Sequence, residues 1–173
     1  MILDFEIDKL THSVEDASTG DILSTDILPL DRADLRDITK KSGWKFNWKI
    51  EFDAIEKQVY KLILQNKPEI IQGIICLTHE RDHIFIQLIE TAPHNFGKTK
   101  KYLGVAGNLV AFACKLSFEK GFDGYVSFKA KTKLIPHYSK TLGARVLYGQ
   151  YMEIAAPSAM KLIKDYFTEF FNK

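Results

Sequence analysis

The chain reads as an α+β protein, a mixed α/β arrangement, on three observations. Strand-like apolar runs at residues 58–64, 70–77 and 83–92 follow one another through short polar turns, the pattern of an antiparallel meander. A helix-like run follows at 104–120, with Leu109, Phe112, Ala113, Leu116 and Phe118 on an apolar stripe and Gly121 at its end. Beyond it a strand, a short helix, paired strands and a last helix succeed each other without internal repeats.

Each element has a local reason. Residues 2–10 mix apolar and acidic side chains and suit an edge strand. A turn at Thr19-Gly20-Asp21 leads to a short apolar run, 22–30. Acids at Asp31 and Asp34 predict a helix start, with Lys40, Lys41 and Gly43 as its stop. Trp44, Phe46, Trp48 and Phe52 recur at even spacing, which predicts an extended segment packing one face inward. The links 65–68 and 79–82 are tight turns, and 92–101 is a loop carrying Lys98, Lys100 and Lys101. Residues 125–129 suit a short strand. Residues 133–142 suit an amphipathic helix with Pro136 near its first turn and Gly143 at its end. A hairpin turns around Tyr148-Gly149-Gln150, and 157–171 is a terminal helix with Leu162, Ile163, Tyr166, Phe167 and Phe170 inward.

Composition bounds the function. The 173 residues suit one domain, 1–173, and 46% hydrophobic content supplies a core without a metal or disulfide staple. A formal net charge of +2 gives no strong nucleic-acid signal. Cys76 and Cys114 each sit in an apolar run, the setting of a buried free thiol, and nothing has zinc spacing, so no metal is expected. The N-terminus lacks a signal-peptide pattern, and no run approaches the ~20 apolar residues of a membrane helix, so the expectation is a cytoplasmic protein.

The stretch Lys101-Tyr102-Leu103-Gly104-Val105-Ala106-Gly107-Asn108 follows a strand-like run and opens the long helix. Backbone N–H groups at such a turn, with the positive end of the helix dipole, suit a phosphate or diphosphate. Gly104, Ala106 and Gly107 leave room for an anion to approach the backbone. The turn lacks the Lys-Ser/Thr ending of a P-loop and the full glycine set of a dinucleotide fold.

This motif, a basic or Gln residue, any two residues, then Gly-x-Gly/Ala, resembles the cofactor turn of the GNAT N-acetyltransferase superfamily. A second motif, His137-Tyr138-Ser139-Lys140-Thr141-Leu142-Gly143, resembles the superfamily's small helix with its Tyr, one residue longer than usual. The resemblance spans residues 59–154, the cofactor-binding core, and leaves 1–45 unmatched. It implies a central mixed, mostly antiparallel sheet, splayed in the middle and flanked by helices. It implies acetyl-CoA as acyl donor, a primary amine as acceptor, and direct attack in a ternary complex.

The resemblance also implies roles. Val105, Ala106, Gly107 and Asn108 would hold the coenzyme diphosphate through their amides, with Gly104 permitting close approach and Lys101, with Lys98 and Lys100 nearby, adding charge. Leu88, Ile89 and Glu90 would receive the pantetheine arm through their backbone, as an added strand. Tyr138 would protonate the leaving thiolate, and Glu90 would take the amine proton directly or through water. His94 is a rival base. Each residue has a plainer reading: a packing tyrosine, a strand-end carboxylate, a solvated lysine loop. The acceptor is a small-molecule or peptide amine. The alternative is a non-catalytic acyl-CoA-binding or protein-interaction module on the same fold. The aromatic surplus of the last helix suggests a homodimer contact.

Overall fold

A computed structural model describes residues 2–172. The chain begins with β1 (Ile2–Leu3), β2 (Val14–Asp16), β3 (Ile22–Leu23) and β4 (Thr25–Pro29). A 3-10 turn, Arg32–Arg36, and helix α1 (Trp48–Asp53) precede the meander β5 (Lys57–Leu64), β6 (Lys67–His79) and β7 (Ile84–Thr91). After a 3-10 turn at Pro93–Asn95 come β8 (Tyr102–Leu103), α2 (Val105–Glu119) and β9 (Val126–Ala130). The chain closes with α3 (Ile135–Leu142), β10 (Arg145–Tyr148), β11 (Tyr151–Ile154) and α4 (Ala156–Tyr166).

The main sheet runs β4-β5-β6-β7-β9-β11-β10, and a small sheet joins β3, β2 and β8. Neighbours from β4 to β7 are antiparallel, β7 and β9 are parallel, and β9, β11 and β10 are antiparallel again. The long apolar run of β6 is buried on both faces, which is why it lacks polar alternation. Ile74 and Cys76 face a layer holding Trp44 and Trp48, while Ile75 and Leu77 face the layer of α2, α3 and α4. Cys76 and Cys114 are free and buried as the sequence predicts, and burial pushes the Cys76 thiol up to about 12.

One irregularity opens the sheet. Cys76 faces Leu88 and the next residue, Leu77, faces Ile86, so Gln87 is an extra residue in β7. Such a bulge bends its strand and increases the local twist. β7 and β9 pair only through Ile84, Phe85 and Ile86 against Val126, Ser127 and Phe128. Past the bulge they part, giving the mixed, splayed sheet that the resemblance implies.

The N-terminus departs from expectation. Only Ile2–Leu3 form a strand in the 2–10 stretch, and β1 is no outer edge. It pairs in parallel with Lys129 and Ala130 of β9, just where β7 has left. The opened sheet leaves those backbone groups unpaired, and β1 satisfies them. Residues 43–52 also differ, because an aromatic spacing of four matches neighbours on a helix as well as the even count of a strand. Trp48 is fully buried as α1 winds up. The predicted helix after Asp31 is only a 3-10 turn. The aromatic surplus of the C-terminus is absorbed within the chain, where Phe118 meets Phe170 at 5.6 Å and Phe171 at 5.2 Å between ring centroids.

Candidate active site

The site is built where β7 and β9 part and where α2 begins. Gly104 precedes the helix with φ +86°, in the left-handed region that favours glycine. A Cβ there would lie 2.7 Å from Thr11 Oγ1 and 2.8 Å from the Ser13 carbonyl oxygen, so the turn is closely lined by the N-terminal segment. Gly104, as the N-cap, has no side chain with which to cap the helix. Val105, Ala106, Gly107 and Asn108 are all buried. The Asn108 amide donates to the Gly104 carbonyl at 3.0 Å, so this amide, expected to meet a ligand, instead closes the first helical turn. Its side-chain Nδ2 donates to Thr25 Oγ1 at 3.3 Å, while its Oδ1 is buried without a partner.

The approach to the turn is held by Asn95, a residue of the 92–101 loop. Buried Asn95 accepts the Tyr102 amide at 3.1 Å and donates to Gln72 Oε1 at 2.9 Å. His94 shares the same Gln72 oxygen at 2.7 Å, and its burial, aided by the charge of Lys101, holds its pKa below the ordinary imidazole value. His94 is therefore part of the scaffold under the loop. Lys101 is exposed and sits 5.6 Å from the Tyr102 ring centre, outside the groove. Lys100 is the lysine that turns inward.

On the other wall, Leu88, Ile89 and Glu90 follow the bulge and are buried. They line a cavity of about 220 Å³ together with Leu3, Phe5 and Phe46. The Glu90 carboxylate accepts from the Lys45 amide at 2.6 Å, the Phe46 amide at 3.3 Å and the Trp48 indole Nε1 at 2.8 Å. Both of its oxygens thus anchor the segment before α1. A second cavity, about 380 Å³, lies between Thr91, Phe96, Lys100, Ala106 and Lys133.

Tyr138 of α3 reaches the same gap. It is fully buried, its ring packs 5.4 Å from Phe128, and its hydroxyl donates to the Phe5 carbonyl at 2.5 Å. Burial raises its pKa well above that of a free phenol, so it keeps its proton. His137 accepts the Ile7 amide on Nε2 at 2.8 Å. Asp8 accepts the Gly104 amide at 3.2 Å and pairs with Lys100 at 3.2 Å. The structure therefore sets Leu88, Ile89 and Glu90 on one cavity and Ala106 on a second, joins Tyr138 to them through Phe5 and Gly104 through Asp8, and leaves Lys101 exposed. Asp8 and Phe5 were missed. Their one sequence signal is the alternation of Leu3, Phe5 and Ile7 with Asp4, Glu6 and Asp8.

This fold has counterparts among solved structures. The KacTA–DNA complex aligns with a TM-score of 0.59 at 16% identity, covering 82% of this chain and 99% of that one. A variant of the spermidine N-acetyltransferase SpeG from Vibrio cholerae gives 0.57 at 15% identity, with coverage of 79% and 96%. AtaTR bound with AcCoA gives 0.56 at 14% identity, with coverage of 80% and 98%. This chain has the GNAT acetyltransferase fold. No protein-family model and no curated protein matches the sequence. The bulge at Gln87 marks the point in this fold where the two parallel strands part.

Proposed function

We propose that this chain is an acetyl-CoA-dependent N-acetyltransferase acting on a primary amine of a small molecule or peptide. The observation that carries the reading is the parting of β7 from β9 beside the glycine turn that opens α2. The acetyl-CoA in AtaTR and the spermidine activity of SpeG belong to those proteins, and here they support the choice of donor and acceptor class. The DNA of the KacTA complex is not carried over, because a net charge of +2 offers no broad phosphate-binding face. Two buried thiols fit a reducing cytoplasm, and among the described residues no helix is long and apolar enough to cross a membrane.

In this reading the amides of Val105, Ala106 and Gly107 take the diphosphate, and the β9-facing backbone of Leu88, Ile89 and Glu90 takes the pantetheine arm. The neutral amine attacks the thioester carbonyl carbon, and the C–S bond breaks as the N–C bond is completed. The thiolate leaves with the proton of the Tyr138 hydroxyl, which lies against the Phe5 carbonyl in the strand gap. The proton from the amine passes to a water, or to Glu90 at the loss of one of its three N–H bonds.

One observation favours a second reading, a non-catalytic acyl-CoA-binding or protein-interaction module: the chain's own residues 2–8 lie in the gap. Thiol release from acetyl-CoA, measured with a panel of polyamines, small amines and peptide amines, separates the two. The enzyme releases thiol only when an accepted amine is present. Coenzyme binding with no release across a broad panel supports the module.

A further inference from the structure

We infer that residues 2–11 are a built-in competitor for the coenzyme groove, and that this strap must leave before a diphosphate can enter. The inference rests on the coenzyme reading above.

The strap follows the groove from the gap to the turn. Leu3 accepts the Lys131 amide at 3.0 Å beside β9, Phe5 accepts the Tyr138 hydroxyl, and the Ile7 amide donates to His137. Asp8 then reaches the Gly104 amide and Lys100, and the Thr11 amide donates to the Tyr166 hydroxyl at 3.0 Å. Leu3 and Ile7 are 2% and 5% exposed, so the strap is bound by apolar burial as well as by hydrogen bonds. From Leu3 to Asp8 an extended chain spans at most ~17 Å.

The conflict is one of charge. Asp8 places a carboxylate on an N–H and an ammonium at the start of α2, the kind of donor pair that a phosphate oxygen would use. Two anions on those donors repel each other, and Glu6 adds further negative charge along the same strap, while Asp4 is paired with Lys131 at 3.2 Å. The Tyr138 hydroxyl, whose proton a leaving thiolate would need, is also tied to the strap. Strap release therefore frees both the anion donors and the acid. Coenzyme affinity is lowered by the fraction of molecules whose groove is closed.

Hydrogen exchange on the full chain, with and without coenzyme A, tests this, alongside coenzyme titration of wild type and Asp8→Asn. The expected result is faster exchange over residues 2–11 when coenzyme binds, slower exchange at 104–108, and affinity raised roughly threefold or more by Asp8→Asn. Binding by Asp8→Asn alone is the strongest form of that result. If coenzyme binds while residues 2–11 keep or gain protection, and Asp8→Asn binds no tighter, the strap is a wall of the site and the inference is overturned, with the coenzyme reading intact. If neither protein binds coenzyme, the coenzyme reading fails and the strap inference with it.

Discussion

The indole nitrogen of Trp48 donates to the Glu90 carboxylate at 2.8 Å, joining the start of α1 to the end of β7 across 42 residues. With the Lys45 and Phe46 amides on the same carboxylate, Glu90 fixes the wall of the gap opposite Tyr138's helix.

Glu90→Gln replaces one carboxylate oxygen with an NH₂ group that faces donors. It leaves at least one buried N–H without an acceptor, which costs ~1–3 kcal/mol. Trp48→Phe removes a donor but keeps most of the ring, and costs about 1 kcal/mol. Urea denaturation reads both. An unfolding midpoint unchanged in Glu90→Gln contradicts the anchoring role.

Tyr138→Phe separates chemistry from packing. The ring still meets Phe128, so the fold is retained with a loss of about 1 kcal/mol for the missing hydroxyl bond. Acetyl transfer slows at least tenfold, about 1.4 kcal/mol of barrier. Single-turnover rates with parallel coenzyme titrations check it. Wild-type rates in this variant would remove Tyr138 from the reaction.

Gly104→Ala meets two obstacles at once. The backbone is left-handed, and the new Cβ would press on Thr11 Oγ1 and the Ser13 carbonyl. Strain of this kind costs of order 1–3 kcal/mol. The thermal midpoint falls, and coenzyme binding weakens because the turn opens α2. Full stability in Gly104→Ala would mean that the turn is not held as described.

The parts of this protein that were legible in its sequence are those set by short-range pattern. The meander, the long helix at 105–119 and the hairpin after Gly143 each carry their period and their turn residues within a dozen positions. Tyr138 and Gly104 were legible because they sit in short motifs. Residues 43–52 were misread because Trp48 and Phe52 satisfy two periods at once, and their burial against Ile74 and Cys76 decided for the helix. The strap was illegible for a different reason. Leu3, Phe5 and Ile7 announce an extended segment, but the partner of its first residues is the part of β9 vacated by β7, where Ile2 faces Lys129 and Leu3 faces Ala130. Nothing local marks Asp8 as the residue that meets Gly104, or Lys100 rather than Lys101 as the inward lysine.

The stability of the fold falls on the acid side for a stated reason. His94 and His79 both have pKa values lowered from 6.5, His94 by burial and then by Lys101, and His79 by burial and then by Lys120. Above 6.5 both are neutral in folded and unfolded chains alike. As pH drops below that value the unfolded chain takes up protons that the folded chain refuses, and stability declines until the folded values are reached. Denaturation midpoints fall as pH is lowered from 7 toward 5, a range chosen on the order of the imidazole value. His94→Gln flattens part of that slope. A slope unchanged in His94→Gln counts against a partly desolvated, neutral imidazole.

The most direct measurement is a crystal structure of this chain grown with acetyl-CoA at saturating concentration. The account predicts the diphosphate within hydrogen-bonding distance of the amides of Val105, Ala106 and Gly107, and the pantetheine arm along Leu88, Ile89 and Glu90 with its thioester toward Tyr138. Coenzyme bound elsewhere on the surface, or a groove still holding residues 2–8 and no coenzyme, would contradict it.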